Sequence, residues 1–337
     1  MNKTDYFSVK LVNNELVFID QTLLPFEEKY VTTSNYERIA GAIERLEIRG
    51  APAIGIAAAY ALALSQKEFF DPILFQNVYT RLKSTRPTAV NLFWALNRVK
   101  AITDNYSTKD FLHNEIFNLL INEAKVIHLE DEEMCRLIGI NGLSLFTKKM
   151  NVLTHCNTGK LATGGDGTAF SVIKSAFNNN LINHVYADET RPLFQGSRLT
   201  AFELHKNEIP FSVLPDSAAA SLFSSGKIDI VITGADRISR NGDTANKIGT
   251  YNLAVLANYH AVPFYIAAPS STIDLACNNG SEIPIEQRNK NEVLGIFPEN
   301  ELTKSIAVYN PSFDITPSNL ITGIITEKRI FNFPYSF

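Results

Sequence analysis

Cys156 follows the short apolar run Val152-Leu153-Thr154 and opens a loop that carries Gly159, Gly164, Gly165 and Gly167. The run reads as a buried strand. The segment from Asp166 through Phe170, Val172, Ile173, Ala176 and Phe177 reads as a helix, with Asp166 as its N-cap. A strand, a glycine-rich turn and a helix start together present backbone N–H groups at the positive end of a helix dipole, an arrangement that suits a phosphate. A helix amino end also favours the thiolate form of a nearby cysteine, which makes Cys156 a candidate base or nucleophile. An ordinary β–α turn with a structural cysteine would use the same residues.

A second candidate is Asp236, which closes the apolar stretch Ile228-Asp-Ile-Val-Ile-Thr-Gly-Ala. Half-burial there favours the protonated carboxyl, as a general acid near neutral pH requires, whereas pairing with Arg237 or capping a turn is the bland reading. Arg49, just upstream of the apolar segment Gly50-Ala51-Pro52-Ala53-Ile54-Gly55, adds a cation near a helix amino end; a surface salt bridge is its alternative. Arg86 lies in a second such loop, where Pro87 keeps it out of the helical region. Asn246-Lys247 at an expected helix start reads as a hydroxyl and phosphate binder or as a cap, and Asp216 reads as a helix N-cap.

Positioning these residues needs an ordered scaffold. Strand candidates at 152–156, 184–188, 211–214, 229–233 and 263–268 alternate with helix candidates at 167–178, 197–206, 217–225 and 246–260. Such alternation predicts a parallel, Rossmann-like sheet with helices on both faces and ligands beyond the carboxyl ends of the strands. The chain before it predicts a hairpin within residues 1–30 with a turn at Asn13-Asn14, a helix over 36–46, and a long helix or pair of helices over 111–146. The expected architecture is therefore α/β: a mainly helical domain with a small sheet over 1–147, then a Rossmann-like catalytic domain over 148–337.

The whole chain is 337 residues long, 45% hydrophobic and 20% charged, with a net charge of -4, an ordinary globular composition. Its scattered Lys and Arg argue against a nucleic-acid partner. Three cysteines without CxxC spacing make neither a disulfide framework nor a zinc site. No apolar segment is long enough to span a bilayer, no signal-like segment opens the chain, and the expected address is the cytoplasm. Without a metal cluster or a nicotinamide GxGxxG fingerprint, the expectation is a reaction with no cofactor, on a phosphorylated small molecule handled by proton transfer.

Taken together, RGAPAIG (49–55), RPTAVNL (86–92), THCNTG (154–159), DETRPLFQGSRLTAFEL (188–204), TGADRISRNGDTANKIGTY (233–251) and GSEIPIEQR (280–288) resemble the methylthioribose-1-phosphate isomerase family. That family shares a superfamily with regulatory subunits of the translation initiation factor eIF2B and with ribose-1,5-bisphosphate isomerase. The resemblance implies an aldose–ketose isomerisation in methionine salvage by a homodimer. It places the catalytic cysteine at Cys156 and the proton-donating aspartate at Asp236. It places substrate contacts at Arg49, Gly50, Ala51, Arg86, Gln195, Asn246 and Lys247. The cysteine loop departs from the family pattern at Lys160, where small residues are common, and at Asp166, where an aromatic is expected. Either the two pair with one another, or Lys160 selects a sugar with a more polar C5 substituent. A related sugar-1-phosphate isomerase and a non-catalytic regulatory subunit are the alternative readings; only an enzyme has need of Cys156, Asp236 and both arginine loops together.

Overall fold

The computed structural model describes residues 6–87, 89–105 and 113–337. The first residues of the expected hairpin, Thr88 of the second arginine loop, and Phe111-Leu112 at the start of the expected long helix lie outside them. The chain forms two compact units, one built from the chain up to Leu137 with Thr158–Ser171, the other from Ile138–Asn157 with Val172–Phe337.

In the first unit, β1 (Val9–Val12) and β2 (Glu15–Ile19) form the expected hairpin, closed by Asn13 and Asn14 at φ 50° and 56°. Two consecutive left-handed residues match the right-handed twist of the strands, which is why asparagines serve at this turn. A third strand, β3 (Tyr30–Thr33), completes an antiparallel sheet. Among the described residues five helices follow: α1 (Tyr36–Glu44), α2 (Ala51–Leu64), α3 (Pro72–Lys83), α4 (Val90–Asn105) and α5 (His113–Leu143), whose residues from Ile138 on belong to the second unit. Asn35 caps α1 by accepting the amides of Glu37 and Arg38 at 2.8 and 3.0 Å. From Ala53 onward every residue of α2 is buried, as a helix apolar on all sides demands. Its small residues permit close packing: at Gly55 the carbonyl of Asn91 on α4 lies where a Cβ would be only 2.8 Å away. Among the described residues no helix is long and apolar enough to cross a membrane.

The second unit holds a seven-stranded sheet. Its strands are β4 (Met150–Thr154), β5 (Ile182–Asp188), β6 (Phe211–Leu214), β7 (Ile230–Thr233), β10 (Phe264–Ala267), β13 (Gly323–Ile325) and β14 (Ile330–Asn332). The spatial order is β14-β13-β10-β7-β4-β5-β6, and all neighbours are parallel except β13 and β14. Without β14, this is the doubly wound 3-2-1-4-5-6 order. Leu153, Val231, Phe264, Ile266 and Ile324 lie in its buried core.

Between its strands run α6 (Ala169–Asn178), α7 (Ala201–Lys206), α8 (Ala219–Ser224) and α9 (Thr250–Tyr259), close to the predicted helices. The fold class read from the sequence is thus the one observed. A second, four-stranded sheet was not foreseen: β8 (Arg237–Ser239), β9 (Thr244–Lys247), β11 (Ile273–Asp274) and β12 (Phe313–Thr316), in the order β11-β8-β9-β12.

Three local expectations are corrected. Asn246 and Lys247 do not start a helix; they end β9, paired with β12 from far along the chain, and α9 starts only at Thr250 after Gly249 at φ 106°. Asp166 is not an N-cap, because α6 begins at Ala169. Asp216 caps no helix; its carboxylate accepts the amides of Thr190 and Arg191 at 2.7 and 2.8 Å.

Candidate active site

In the second unit, β4 and β7 lie side by side where the strand order reverses, with Val152 opposite Ile230 and Leu153 opposite Val231. Thr154 reinforces the join, its hydroxyl donating to the Ile232 carbonyl at 2.9 Å. In doubly wound sheets the chains diverge to either side at such a point, and ligands usually sit beyond the strand ends there. Cys156 comes just after β4 and Asp236 just after β7. The sheet thus brings both expected catalytic residues to its reversal point.

Cys156 is buried, 7% exposed, and its backbone is in the left-handed region at φ 62°. A non-glycine residue there costs roughly 1–3 kcal/mol unless its surroundings hold it. Two threonines do so: the Cys156 amide donates to Thr190 Oγ1 at 2.9 Å, and its carbonyl accepts from Thr200 Oγ1 at 2.5 Å. Thr190 is itself left-handed, φ 63°, and anchored through Asp216. Next to Cys156, His155 is fully enclosed; Nδ1 lies 2.8 Å from Asp188 Oδ2 and Nε2 lies 2.9 Å from the Ile248 carbonyl. Asn157 donates to buried Glu203 at 2.5 Å.

Asp236 is half-buried, as the sequence implied, and its amide donates to the Ala245 carbonyl at 2.9 Å. Arg237 turns its Nε onto Asp274 at 3.0 Å, and holds that carboxyl below its usual range. Asn246 is buried and donates to Thr250 Oγ1 at 2.9 Å. Lys247 donates to the Ser312 carbonyl at 2.9 Å and lies over the Phe313 ring. Gln195 is buried with no hydrogen-bond partner for its Oε1. An orphaned buried acceptor costs about 1–3 kcal/mol, which a ligand donor would relieve.

The other expected contacts belong to the first unit. Gly50 has φ 92°, and a Cβ there would lie 2.4 Å from the backbone of Ala162, so the Arg49-Gly50-Ala51 turn abuts the loop after Cys156. Arg49 and Arg86 are half-buried. Two glycines of that loop, Gly164 and Gly165, serve packing. A Cβ on Gly164 would lie 2.5 Å from Cδ2 of His128, and one on Gly165 2.8 Å from Cβ of Cys135. Both glycines let the loop lie against α5. Its amides are also largely committed: Gly164 N–H donates to Asp131 at 2.6 Å and Thr168 N–H to the Thr158 carbonyl at 2.8 Å. Within the loop, Lys160 Nζ stands 4.0 Å from Asp166 Oδ1.

His155, Asp188 and Asp216 place one ligand atom each within 4.8 Å of one another, the spacing of a metal site. Protein partners already face both imidazole nitrogens and both Asp216 oxygens, whereas the buried Oδ1 of Asp188 has no hydrogen-bond partner. The sequence reading passed over His155, Thr190 and Thr200. The one signal for them was position: a histidine and two hydroxyls beside strand ends that carry chemistry.

Residues 47–332 match the model of the initiation factor 2 subunit family. A methylthioribose-1-phosphate isomerase of Desulfitobacterium hafniense is 50% identical over 335 residues, 98% of this chain and 96% of that one. The crystal structure of the 5-methylthioribose 1-phosphate isomerase of Pyrococcus horikoshii superposes with a TM-score of 0.90 at 41% identity, covering 99% of this chain and 95% of the other. The crystal structure of translation initiation factor eIF-2B subunit delta from A. fulgidus gives 0.84 at 38% identity, covering 98% and 97%. This chain belongs to the initiation factor 2 subunit family and, within it, to the methylthioribose-1-phosphate isomerases.

Proposed function

We propose that this isomerase converts 5-methylthioribose 1-phosphate to 5-methylthioribulose 1-phosphate, with Asp236 as proton donor and Cys156 as base. The observation that carries the reading is the arrival of Cys156 and Asp236 at the ends of adjacent strands at the sheet's reversal. The substrate's anomeric oxygen carries the phosphate, so its ring does not open spontaneously. Asp236 protonates the ring oxygen as the ring opens. Cys156 removes the C2 proton, a phosphoenolate forms, and a proton returned to C1 gives the ketose. Arg49, Arg86 and Lys247 hold the phosphate, with Gly50 and Ala51 shaping the turn against it, and Gln195 and Asn246 bind sugar hydroxyls. The protein works as a cytoplasmic homodimer and without a cofactor.

A hydride shift from C2 to C1 would suit the burial of Cys156 but leaves its thiol without a task. A non-catalytic role has the likeness to the A. fulgidus subunit behind it, and fold alone does not decide function. The test is turnover of 5-methylthioribose 1-phosphate against 5-deoxyribose 1-phosphate and ribose 1,5-bisphosphate, in deuterated water. Fastest turnover of the methylthio sugar with solvent deuterium at C1 is expected. Preference for another sugar would move the substrate assignment and implicate Lys160. No turnover of any would leave the regulatory reading standing.

A further inference from the structure

We propose that His155 is a positioning residue for this reaction: clamped between the Asp188 carboxylate and the Ile248 carbonyl, it ties the left-handed backbone of Cys156 to the segment that follows Asn246 and Lys247. The proposal rests on the isomerase reading in one respect, that Cys156 is the reacting thiol.

Four observations converge on it. His155 precedes Cys156 directly and is held at both ring nitrogens, 2.8 Å from Asp188 and 2.9 Å from Ile248. Asp188 ends β5, whose neighbour Thr190 binds the Cys156 amide. Ile248 lies between Lys247 and Gly249, and Gly249 carries no side chain where the His155 ring sits. Its amide is fixed in turn by Asp314 Oδ2 at 2.7 Å. The imidazole therefore joins the end of one strand, the cysteine, and the start of α9.

The charge of the ring matters to this clamp. A carbonyl only accepts, so Nε2 carries a proton. Asp188 Oδ2 at Nδ1 and the carboxylate of Asp216 nearby favour a second proton there. Burial opposes the charge, yet Asp188 prevails and holds the imidazole above its ordinary range. The acids facing the ring are Asp188 from β5, Asp216 after β6 and Asp314 from β12, with Glu189 acting through Asp188. A ring that stays cationic keeps both bonds. When it loses a proton at high pH, one clamp bond weakens and the cysteine loses its placement.

The test compares the full-length wild type with His155→Gln and Asp188→Asn, by steady-state kinetics and by nitrogen-15 NMR of the histidine rings. In His155→Gln, kcat is expected to fall about a hundredfold, the scale of a misplaced reacting group, with KM within about threefold. In Asp188→Asn, the pH at which the His155 ring loses its second proton, read by its NMR signal, moves down by about 1–3 units, because an opposite charge has been removed. The wild-type ring should show the doubly protonated signal above the pH at which a free imidazole titrates, about 6.5. An unmoved ring titration in folded Asp188→Asn, or a wild-type ring that loses its second proton at or below about 6.5, overturns the proposal while the wild type and its Cys156 dependence stand. A wild type without turnover overturns the isomerase reading, and the positioning claim with it.

Discussion

The Cε1 atom of His155 lies only 2.8 Å from where a Cβ on Gly249 would stand, so these two residues fix one another across the strand ends. Gly249 also has φ 106°, a conformation that side chains resist. Gly249→Ala therefore meets both strain and a clash with a ring that hydrogen bonds hold on both sides. It should destabilise the fold by about 1–3 kcal/mol, read by urea unfolding, and lower kcat as well. A variant of unchanged stability would show that the ring yields and is not a fixed support.

Arg49 and Arg86 stand in loops before α2 and α4, and in the proposed mechanism they hold the phosphate. Lysine keeps the charge but gives up the planar fork that matches phosphate oxygens. Arg49→Lys and Arg86→Lys should each raise KM about ten- to hundredfold, the size of one charge-assisted hydrogen bond, with kcat little changed. A fall in kcat at constant KM would instead make that arginine part of the chemical step.

Asp131 is fully enclosed beneath the glycine loop and accepts the Gly164 amide at 2.6 Å. Burial pushes its carboxyl up to about 6 from 3.8. The folded state thus favours the protonated acid, and its contribution is full below pH 3.8 and lost as pH rises through about 6. The loss is on the order of 3 kcal/mol. The wild type should lose unfolding free energy between pH 4 and 6, and Asp131→Asn, which still offers an oxygen to Gly164, should flatten that decline. Parallel curves for the two proteins would exclude a buried titration here.

Much of the fold was legible because its strands are short apolar runs with chemistry at their ends. Val152-Leu153-Thr154 and Ile230–Thr233 announce themselves by composition alone, and their parallel pairing follows from the helices between them. The β8–β9–β11–β12 sheet was not legible: its strands are two to four residues long, and the partner of Asn246 and Lys247 lies beyond residue 310. Glycine-rich sequence after Cys156 pointed to a phosphate cradle, whereas Gly164 and Gly165 are spent on packing against α5. Composition cannot tell a glycine that admits a ligand from one that admits a neighbouring helix. Lys160 and Asp166 stand within ion-pairing distance, as one of the two readings from sequence held.

The central claim is that Cys156 and Asp236 carry out the isomerisation. The most direct measurement follows 5-methylthioribose 1-phosphate by phosphorus NMR with the wild type, Cys156→Ser and Asp236→Asn, alongside binding of the sugar to each variant by calorimetry. The account predicts ketose formation by the wild type, a loss of at least about a thousandfold in kcat for either variant, and affinities within a few-fold of wild type. Turnover by Cys156→Ser or Asp236→Asn at near wild-type rate would contradict it.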